Sequence, residues 1–356
     1  MQSITQIKDK QRELFAQMPP KKNQYVDFTR TDYSSPLKTT IAKVIKAGNA
    51  TRKEISSYEE SINIIQGRIS QSKNSLFVDM TADNSLVITV PKNSDGSDIE
   101  LLIEINGRQV ERNIIILEEN SKASLTLQYS GDGFLALTTD IIIEQGAELN
   151  FSEVQELGRN STLLGHTEVK VHKDAKIHWN VITLGAKTQS MERHIQLLEP
   201  GADGKLVEVF FGNDNQLFDN NVVIGHKNHD TTANALSNGI LTDSSRNVFF
   251  GLIKIDEKAQ KTNSFLAQHT MLLSPNAICN SIPSLEIAAN DVKASHSASA
   301  GQIDQEQVFY LMARGIPFGE AKKLIVFGFL ESAIARIPSD EIKNRIKQSI
   351  ESKWSA

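Results

Sequence analysis

The sequence contains one cysteine, Cys279, among 356 residues. That excludes an intrachain disulfide and any cysteine-only zinc or cluster site held within one chain. Long apolar runs are missing too. The strongest, Ile114–Leu117 and Leu324–Phe327, are far too short to span a bilayer. Charges interrupt the segment Met1–Met18, so it has no signal-peptide apolar region, and the expected location is cytoplasmic. Positive charge is not in excess. There are 38 Lys and Arg against 43 Asp and Glu, a formal net charge of −5, with none of the basic bias that nucleic-acid binding needs. Nucleotide-hydrolysis signatures are absent as well. A phosphate-binding loop needs glycines to admit the phosphates and a Lys-Ser or Lys-Thr pair to hold charge and metal, but here Gly204-Lys205 is followed by Leu206. No G-x-S-x-G elbow and no H-E-x-x-H pair occurs. If ATP is used, another chain must hydrolyse it.

Three textures follow one another along the chain. Residues 1–75 read as polar and mostly helical, with Ile41, Val44 and Ile45 on one helical face and Ile62, Ile65 and Ile69 repeating the spacing. Pro19-Pro20 and Ser34-Ser35-Pro36 break this region into pieces. Residues 76–300 read as β. Short apolar runs such as Leu86–Val90 and Ile99–Ile105 are punctuated by Asn, Asp and Gly, and in Val169–His172 the valines point one way while Lys170 and His172 point the other. A turn residue, then alanine, then a strand recurs at Ala123, Ala147, Ala175 and Ala202, with intervals of roughly 24, 28 and 27 residues, and Ala259 and Ala277 extend the series. A small residue at a tight corner before each strand suits a stacked β-solenoid. Regular short strands also suit a β-sandwich.

Residues 301–356 return to helical periodicity. Asp304 with Gln307 resembles a capping box, Val308, Leu311 and Met312 share a face, and Gly315 suits the helix stop. A second helix is predicted over Phe318–Arg336, with Leu324, Phe327 and Leu330 among its apolar positions, ended by Pro338. Ser339 is the predicted N-cap of a third, in which Ile342, Ile346, Ile350 and Trp354 form a stripe. The stripe either docks on the other two helices or offers a partner-binding face.

Few residues carry the pattern of a chemical site. His226 and His229 are three apart, a spacing that puts strand residues on opposite faces. His166, His172, His178 and His194 fall in strand-like segments, where packed or solvent-facing roles are the expectation. Glu144, Glu148, Glu153 and Glu156 are spread without the pairing that a polysaccharide-cleaving groove needs. Cys279 reads either as a small buried hydrophobe or as a soft metal or sulfur ligand. His296 lies in Ala294–Gly301, a run of small residues that leaves its ring accessible to metal or protons. A plain surface or core histidine is the alternative.

The segment Pro283-Ser-Leu-Glu-Ile-Ala-Ala-Asn-Asp291-Val-Lys293-Ala-Ser-His296-Ser-Ala298-Ser-Ala-Gly301-Gln-Ile-Asp304, followed by Phe309-Tyr310-Leu311 and Arg314-Gly315, resembles the signature of the SufB/SufD family of iron–sulfur cluster assembly proteins. Gly239-Ile-Leu, Val248-Phe-Phe-Gly251, Ala259–Thr262 and Leu272–Ser274 extend the likeness, which covers about residues 205–335. Phe28–Tyr33 is similar to an N-terminal motif of the family. The resemblance implies a right-handed parallel β-helix flanked by N-terminal helices and a C-terminal helical subdomain. It implies a non-catalytic scaffold in a SufBCD complex. A SufC-type ATPase docks on the C-terminal helical part, with Phe309, Tyr310, Arg314 and Gly315 as partner-binding residues. SufB pairs through the β-helix, and a cysteine desulfurase acts indirectly. No permanent cofactor is implied, only a transient iron–sulfur cluster. Ser295 and Ser297 beside His296 resemble SufD rather than SufB, which has a carboxylate on each side. The SufB cysteine falls near Ala277, so its role does not pass to Cys279. Many SufD sequences have cysteine where this chain has Ala294, which leaves His296 as the residue the resemblance offers to iron. Two other readings are a self-associating homodimer and a β-helix enzyme acting on polysaccharide.

Overall fold

The computed structural model describes residues 38–39, 41–55, 73–82, 84–337 and 340–355. Its body is a parallel β-solenoid built from two facing series of strands. One series runs through β4 (Ser85–Val90), the second halves of β5 (Ser97–Leu117) and β6 (Lys122–Ile143), β8 (Thr162–Val171), β10 (Thr188–Leu197), β12 (Leu217–His226), β14 (Arg246–Ile255) and β16 (Ile278–Ile287). The other runs through the first halves of β5 and β6, then β7 (Glu148–Gln155), β9 (Lys176–Thr183), β11 (Asp203–Gly212), β13 (Thr232–Leu241), β15 (Thr262–Leu272) and β17 (Val292–Gln302). Every pairing in both series is parallel, which sets aside the sandwich alternative, since hairpins pair antiparallel.

Residue chemistry makes the corners. Asn93, Asn120, Asp174 and Asp230 adopt φ of 57°, 56°, 55° and 55°, a left-handed conformation that Asn and Asp tolerate better than other side chains. Gly146 and Gly201 fill the same place in the coils between them. The turns stack by hydrogen bonds along the axis: Asn120 N–H donates to Gln145 O at 2.9 Å, Gly146 N–H to Lys173 O at 2.9 Å and Asp174 N–H to Pro200 O at 3.1 Å. Ala147, Ala175 and Ala202 close the turns and stack, with Lys176 N–H donating to Ala147 O and Asp203 N–H to Ala175 O. Ser121, not Ala123, holds this corner in the preceding coil, because Glu148 N–H donates to Ser121 O. Ala277 belongs to the opposite corner, its N–H on Ser274 O.

Alternation sends one side chain of each pair into the space between the series. Leu86, Ile99, Leu125, Phe151, Trp179, Leu206, Ala235, Phe249 and Leu266 are among the fully or nearly fully buried residues there. Each large aliphatic side chain so buried contributes roughly 1.5–3 kcal/mol. Charge is buried inside as well. The Arg193 guanidinium donates to both Glu153 carboxylate oxygens at 3.0 and 3.3 Å and lies 3.6 Å from Glu208 Oε1. Ser237 Oγ donates to Glu208 Oε2 at 2.5 Å. Burial raises the Glu208 carboxyl above its ordinary value, against the opposing pull of Arg193 and Ser237.

The N-terminal part departs from the sequence reading. Ile41, Val44 and Ile45 do not share a helical face. Val44 and Ile45 lie in β2 (Lys43–Lys46), which pairs antiparallel with β5, and β3 (Thr51–Ile55) pairs antiparallel with β4. Short apolar spacing fits either period, and pairing with the first coil decides it. Lys43, Lys46, Arg52 and Lys53 charge this end of the solenoid. Ile62, Ile65, Ile69, Phe28–Tyr33, the proline breaks and Ser339 lie outside the described residues. The first described helix, α1 (Lys73–Thr81), packs on the outer face of the first strand series, where Phe77 meets the Phe134 ring edge-on at 6.3 Å and Asn74 Nδ2 donates to Gly165 O and Ser190 O, each at 3.2 Å.

Three C-terminal helices follow: α2 (Gln305–Ala313), α3 (Phe318–Ile334) and α4 (Asp340–Ser355). The Ile342, Ile346 and Ile350 stripe is buried against α3 and against Val154, Ile182, Val209 and Phe211 on the outer face of the second series. It is a docking face, which corrects the partner-binding alternative for that stripe. Lys353 Nζ fastens the end of α4 by donating to the Leu184 and Phe211 carbonyls and to Gln216 Oε1 at 2.9 Å.

The buried charges give a test. Glu153→Gln is expected to cost about 3 kcal/mol or more in urea unfolding, since Arg193 loses its two-point partner. Glu208→Gln is expected to behave oppositely. A carboxyl raised on folding holds its proton at low pH, and the stability tied to it is lost as pH rises through the folded value. The Glu208→Gln midpoint should therefore gain on the wild type as pH rises. A constant difference across pH would count against a raised Glu208.

Candidate functional site at the open end of the solenoid

Each coil in the body is hydrogen-bonded on both sides, but among the described residues β16 pairs with β14 alone, and β17 with β15 alone. The last coil therefore leaves a row of backbone groups and a slice of core without a following layer. Ile278 and Ile282 are each 37% exposed, Leu285 36% and Ile287 44%. Leu285 and Ile287 stand in register with Ile253 and Ile255, which are fully or nearly fully buried one coil earlier. The same alternation that builds the core thus continues into solvent.

His296 belongs to this end. It pairs in register with Leu266, which follows Ala235 and Leu206 in one interior column. Its neighbours Val292 and Ala294 pack against the core, while His296 itself is exposed. The imidazole therefore sits where a core residue would be if another coil followed. Cys279 stands on the neighbouring strand, half-buried and in register with Asn247. Burial pushes its thiol up, while its hydrogen bonds with Thr270, Asn247 and Gln268 pull the other way. Among the described residues no three His, Cys, Asp or Glu side chains come together in a metal-holding group. His296 could give an iron ion one nitrogen, and the remaining donors would have to come from elsewhere.

Most of the other histidines have structural partners. His226 is buried between Thr231 Oγ1 at 2.8 Å and Ser264 Oγ at 2.9 Å, and burial lowers its pKa to about 4. His229 is exposed on Asp230, so the pair does not converge. His166 and His194 meet edge to face at 4.7 Å, with His166 Nδ1 3.5 Å from Glu192. His172 contacts Glu199, and His178 is half-buried. The carboxylates do not form a groove: Glu153 is fully buried on Arg193, and Glu156 is bound by Arg345 and Ser349.

A second surface lies on α2 and α3. The Asp304 side chain caps α2 by accepting from Glu306 N–H and Gln307 N–H. Val308 faces inward with Ile303 and Ala321. Phe309 is 72% exposed, Tyr310 56%, Met312 43%, Phe318 53% and Leu324 53%. Met312, read as sharing a face with Val308 and Leu311, and Leu324, read as an apolar helix position, are thus on the outside. Arg314 lies over the Tyr310 ring at 4.9 Å, and Gly315 reverses the chain at φ 88° with its N–H on Met312 O. The exposed isoleucines of β16 and the Phe318–Leu324 surface escaped the sequence reading. The signal available was Leu285 and Ile287, two residues apart, continuing the alternation of Ile253 and Ile255 one coil later.

No helix among the described residues is long and apolar enough to cross a membrane. Val308→Ser is expected to cost roughly 2 kcal/mol or more. Phe309→Ser and Leu324→Ser should change stability by no more than about 0.5 kcal/mol. Urea unfolding of the three variants distinguishes an exposed surface from a packed one.

Comparison with known proteins places these features among relatives. Residues 102–329 match the family model described as SUF system FeS cluster assembly, SufBD core domain. The chain is 28% identical over 243 residues to an iron–sulfur cluster assembly SufBD family protein of Mycobacterium tuberculosis, covering 66% of this chain and 61% of that one. It is 27% identical over 246 residues to the iron–sulfur cluster assembly protein SufD of Bacillus subtilis, covering 67% and 56%. A SufBD family protein of Staphylococcus epidermidis is 26% identical over 276 residues, covering 74% and 59%. The chain spans about three-fifths of the length of the curated relatives it matches.

Proposed function

We propose, because this chain belongs to the SufBD family of the SUF iron–sulfur cluster assembly system, that it works as a SufD-like scaffold subunit. The observation that carries this is the uncapped last coil. The edges of β16 and β17, without a further strand among the described residues and with Ile278, Ile282, Leu285 and Ile287 exposed beside them, suit continuation of the sheets by a second solenoid of the same kind. A SufB-type chain is the proposed partner. His296 would then lie at the junction, offering one nitrogen to iron or to a nascent cluster whose other ligands come from the partner. Iron and sulfide are cargo in this reading, and the cluster is held transiently.

The second surface takes a separate partner. Phe309, Tyr310, Arg314 and the Gly315 turn, continued by Phe318 and Leu324, form the proposed dock for a SufC-type ATPase. ATP hydrolysis belongs to that subunit, since this sequence has no phosphate-binding loop. The scaffold itself is proposed to be non-catalytic and cytoplasmic, with sulfur reaching the complex from a cysteine desulfurase. Self-pairing of the same open end into a homodimer uses the same surface, and mass measurement with and without a SufB-type partner separates the two.

His296→Ala is expected to leave the melting temperature and the co-purification of partners unchanged and to lower cluster yield in the reconstituted complex, read by absorbance and iron content. An unchanged yield would return His296 to an ordinary surface role. Phe309→Asp with Tyr310→Asp should abolish ATPase co-purification while SufB-type pairing persists. ATP turnover by the purified chain alone would overturn the scaffold reading.

A further inference from the structure

Outward side chains of the second strand series form rows, because its parallel coils stack in register. In one row His178 of β9, Lys205 of β11 and Asn234 of β13 follow one another on successive coils, with neighbours about 4.8 Å apart. In the next outward row Asn180 stands in register with Val207, and both are buried. Arg336, two residues beyond the end of α3, joins them. These six residues are among those lining a cavity of about 220 Å³.

Three of the six carry positive charge or gain it by taking a proton, and the lining contains no carboxylate among the described residues. Nearby cavities differ. The one at Arg345 on α4 includes Asp98, Glu100 and Glu341, and the one at Lys353 includes Glu156. The cationic donors here are also little used. Among the described residues Arg336 makes one side-chain hydrogen bond, a long one of 3.5 Å to Asn234 Oδ1. The His178 ring makes none among them. Lys205 has the Asp203 carboxylate at 3.8 Å, which lies outside the lining.

The cations repel one another in this arrangement. Burial, and after it the charge of Lys205, lower the His178 pKa. Lys176 adds to that effect, while Glu148 and Asp203, in the same outward row as Lys176, oppose it. An anion between these groups would reverse the repulsion and favour the imidazolium. Two fixed positive charges match a dianion, whereas a single carboxylate would leave one of them unmatched. A guanidinium fork beside an ammonium point charge suits phosphate oxygens.

We propose that this cavity binds a phosphate group, held by Lys205, Arg336 and His178, with Asn234 positioning the guanidinium. The bound group would tie the end of α3 to two coils of the solenoid, since Arg336 follows the helix and the other two ligands come from β9 and β11. It uses none of the residues of the open end or of the α2–α3 surface, so it goes beyond the scaffold reading and does not depend on it.

Calorimetric titration of the purified full chain, at low salt in a phosphate-free buffer, tests the site with inorganic phosphate and separately with glycerol 3-phosphate. The two arms tell free phosphate from a phosphate carried on an organic molecule, and binding of either supports the site. Acetate is expected to bind at least tenfold more weakly. Lys205→Gln and Arg336→Gln should each weaken phosphate binding about tenfold or more, the loss of one charge-assisted contact. Both side chains are exposed, so folding should persist, and circular dichroism checks it. Lys254→Gln, at an exposed lysine of the first strand series, should leave the affinity unchanged. In NMR the His178 ring is expected to titrate at higher pH with phosphate present than without it. The proposal is overturned if neither phosphate compound binds at millimolar concentration or if acetate binds as well. It is equally overturned if either charge-removing variant binds as the wild type does, if Lys254→Gln loses as much affinity as they do, or if the His178 titration does not move.

Discussion

In this molecule every strand of the body depends on the strand above and below it for its hydrogen bonds. The coil is the unit, and it cannot satisfy its own backbone. Stacking in register solves that for all coils but the last. The core columns obey the same rule, since Trp179, Leu206, Ala235 and Leu266 each cover the next. The exposure of His296 and Ile287 is therefore a consequence of where the stack stops, not of any irregularity in those residues.

The interior is not uniformly apolar. Arg193 with Glu153, and the hydrogen-bonded amides of Gln155, Gln189, Asn220 and Asn247, occupy interior positions where neighbouring coils place apolar residues such as Val222, Leu127, Phe218 and Phe249. Such groups penalise a slipped stack, because a shift by one coil or one residue would leave them without partners. Apolar columns are more forgiving, so the polar contacts fix which coil sits on which. The C-terminal helices add to this from outside. Ile342, Ile346 and Ile350 seal the outer face of the second series, and Lys353 reaches carbonyls in two successive coils.

Much of this was written in the sequence. Strands separated by Asn, Asp and Gly announced a β body, and corner alanines announced the repeat, because tight turns restrict both conformation and size. Ala123 misled by two residues, as Ser121 is equally small and does the same job. The strands around Val44 and Arg52 were misread because a few apolar residues fit a helix as well as a strand until their neighbour is known. His296 was legible through the resemblance of its segment to a family. Its place in a core column was not, since register is a relation between distant strands. Met312 and Leu324 were read only as members of apolar faces, because periodicity identifies such a face and does not say what covers it.

The two ends of the solenoid differ in kind. At one, β2 and β3 run antiparallel to the first strands and carry Lys43, Lys46, Arg52 and Lys53. At the other, two parallel edges stand beside isoleucine with no further strand on them among the described residues. A rod with two growing ends would polymerise without limit, as fibrils do. With one end blocked by reversed strand direction and charge, the first partner that covers the free end also ends growth. Under the proposed pairing this asymmetry would make association self-limiting, so a protein built almost wholly of stackable strands would expose sheet edges at one end without seeding a filament.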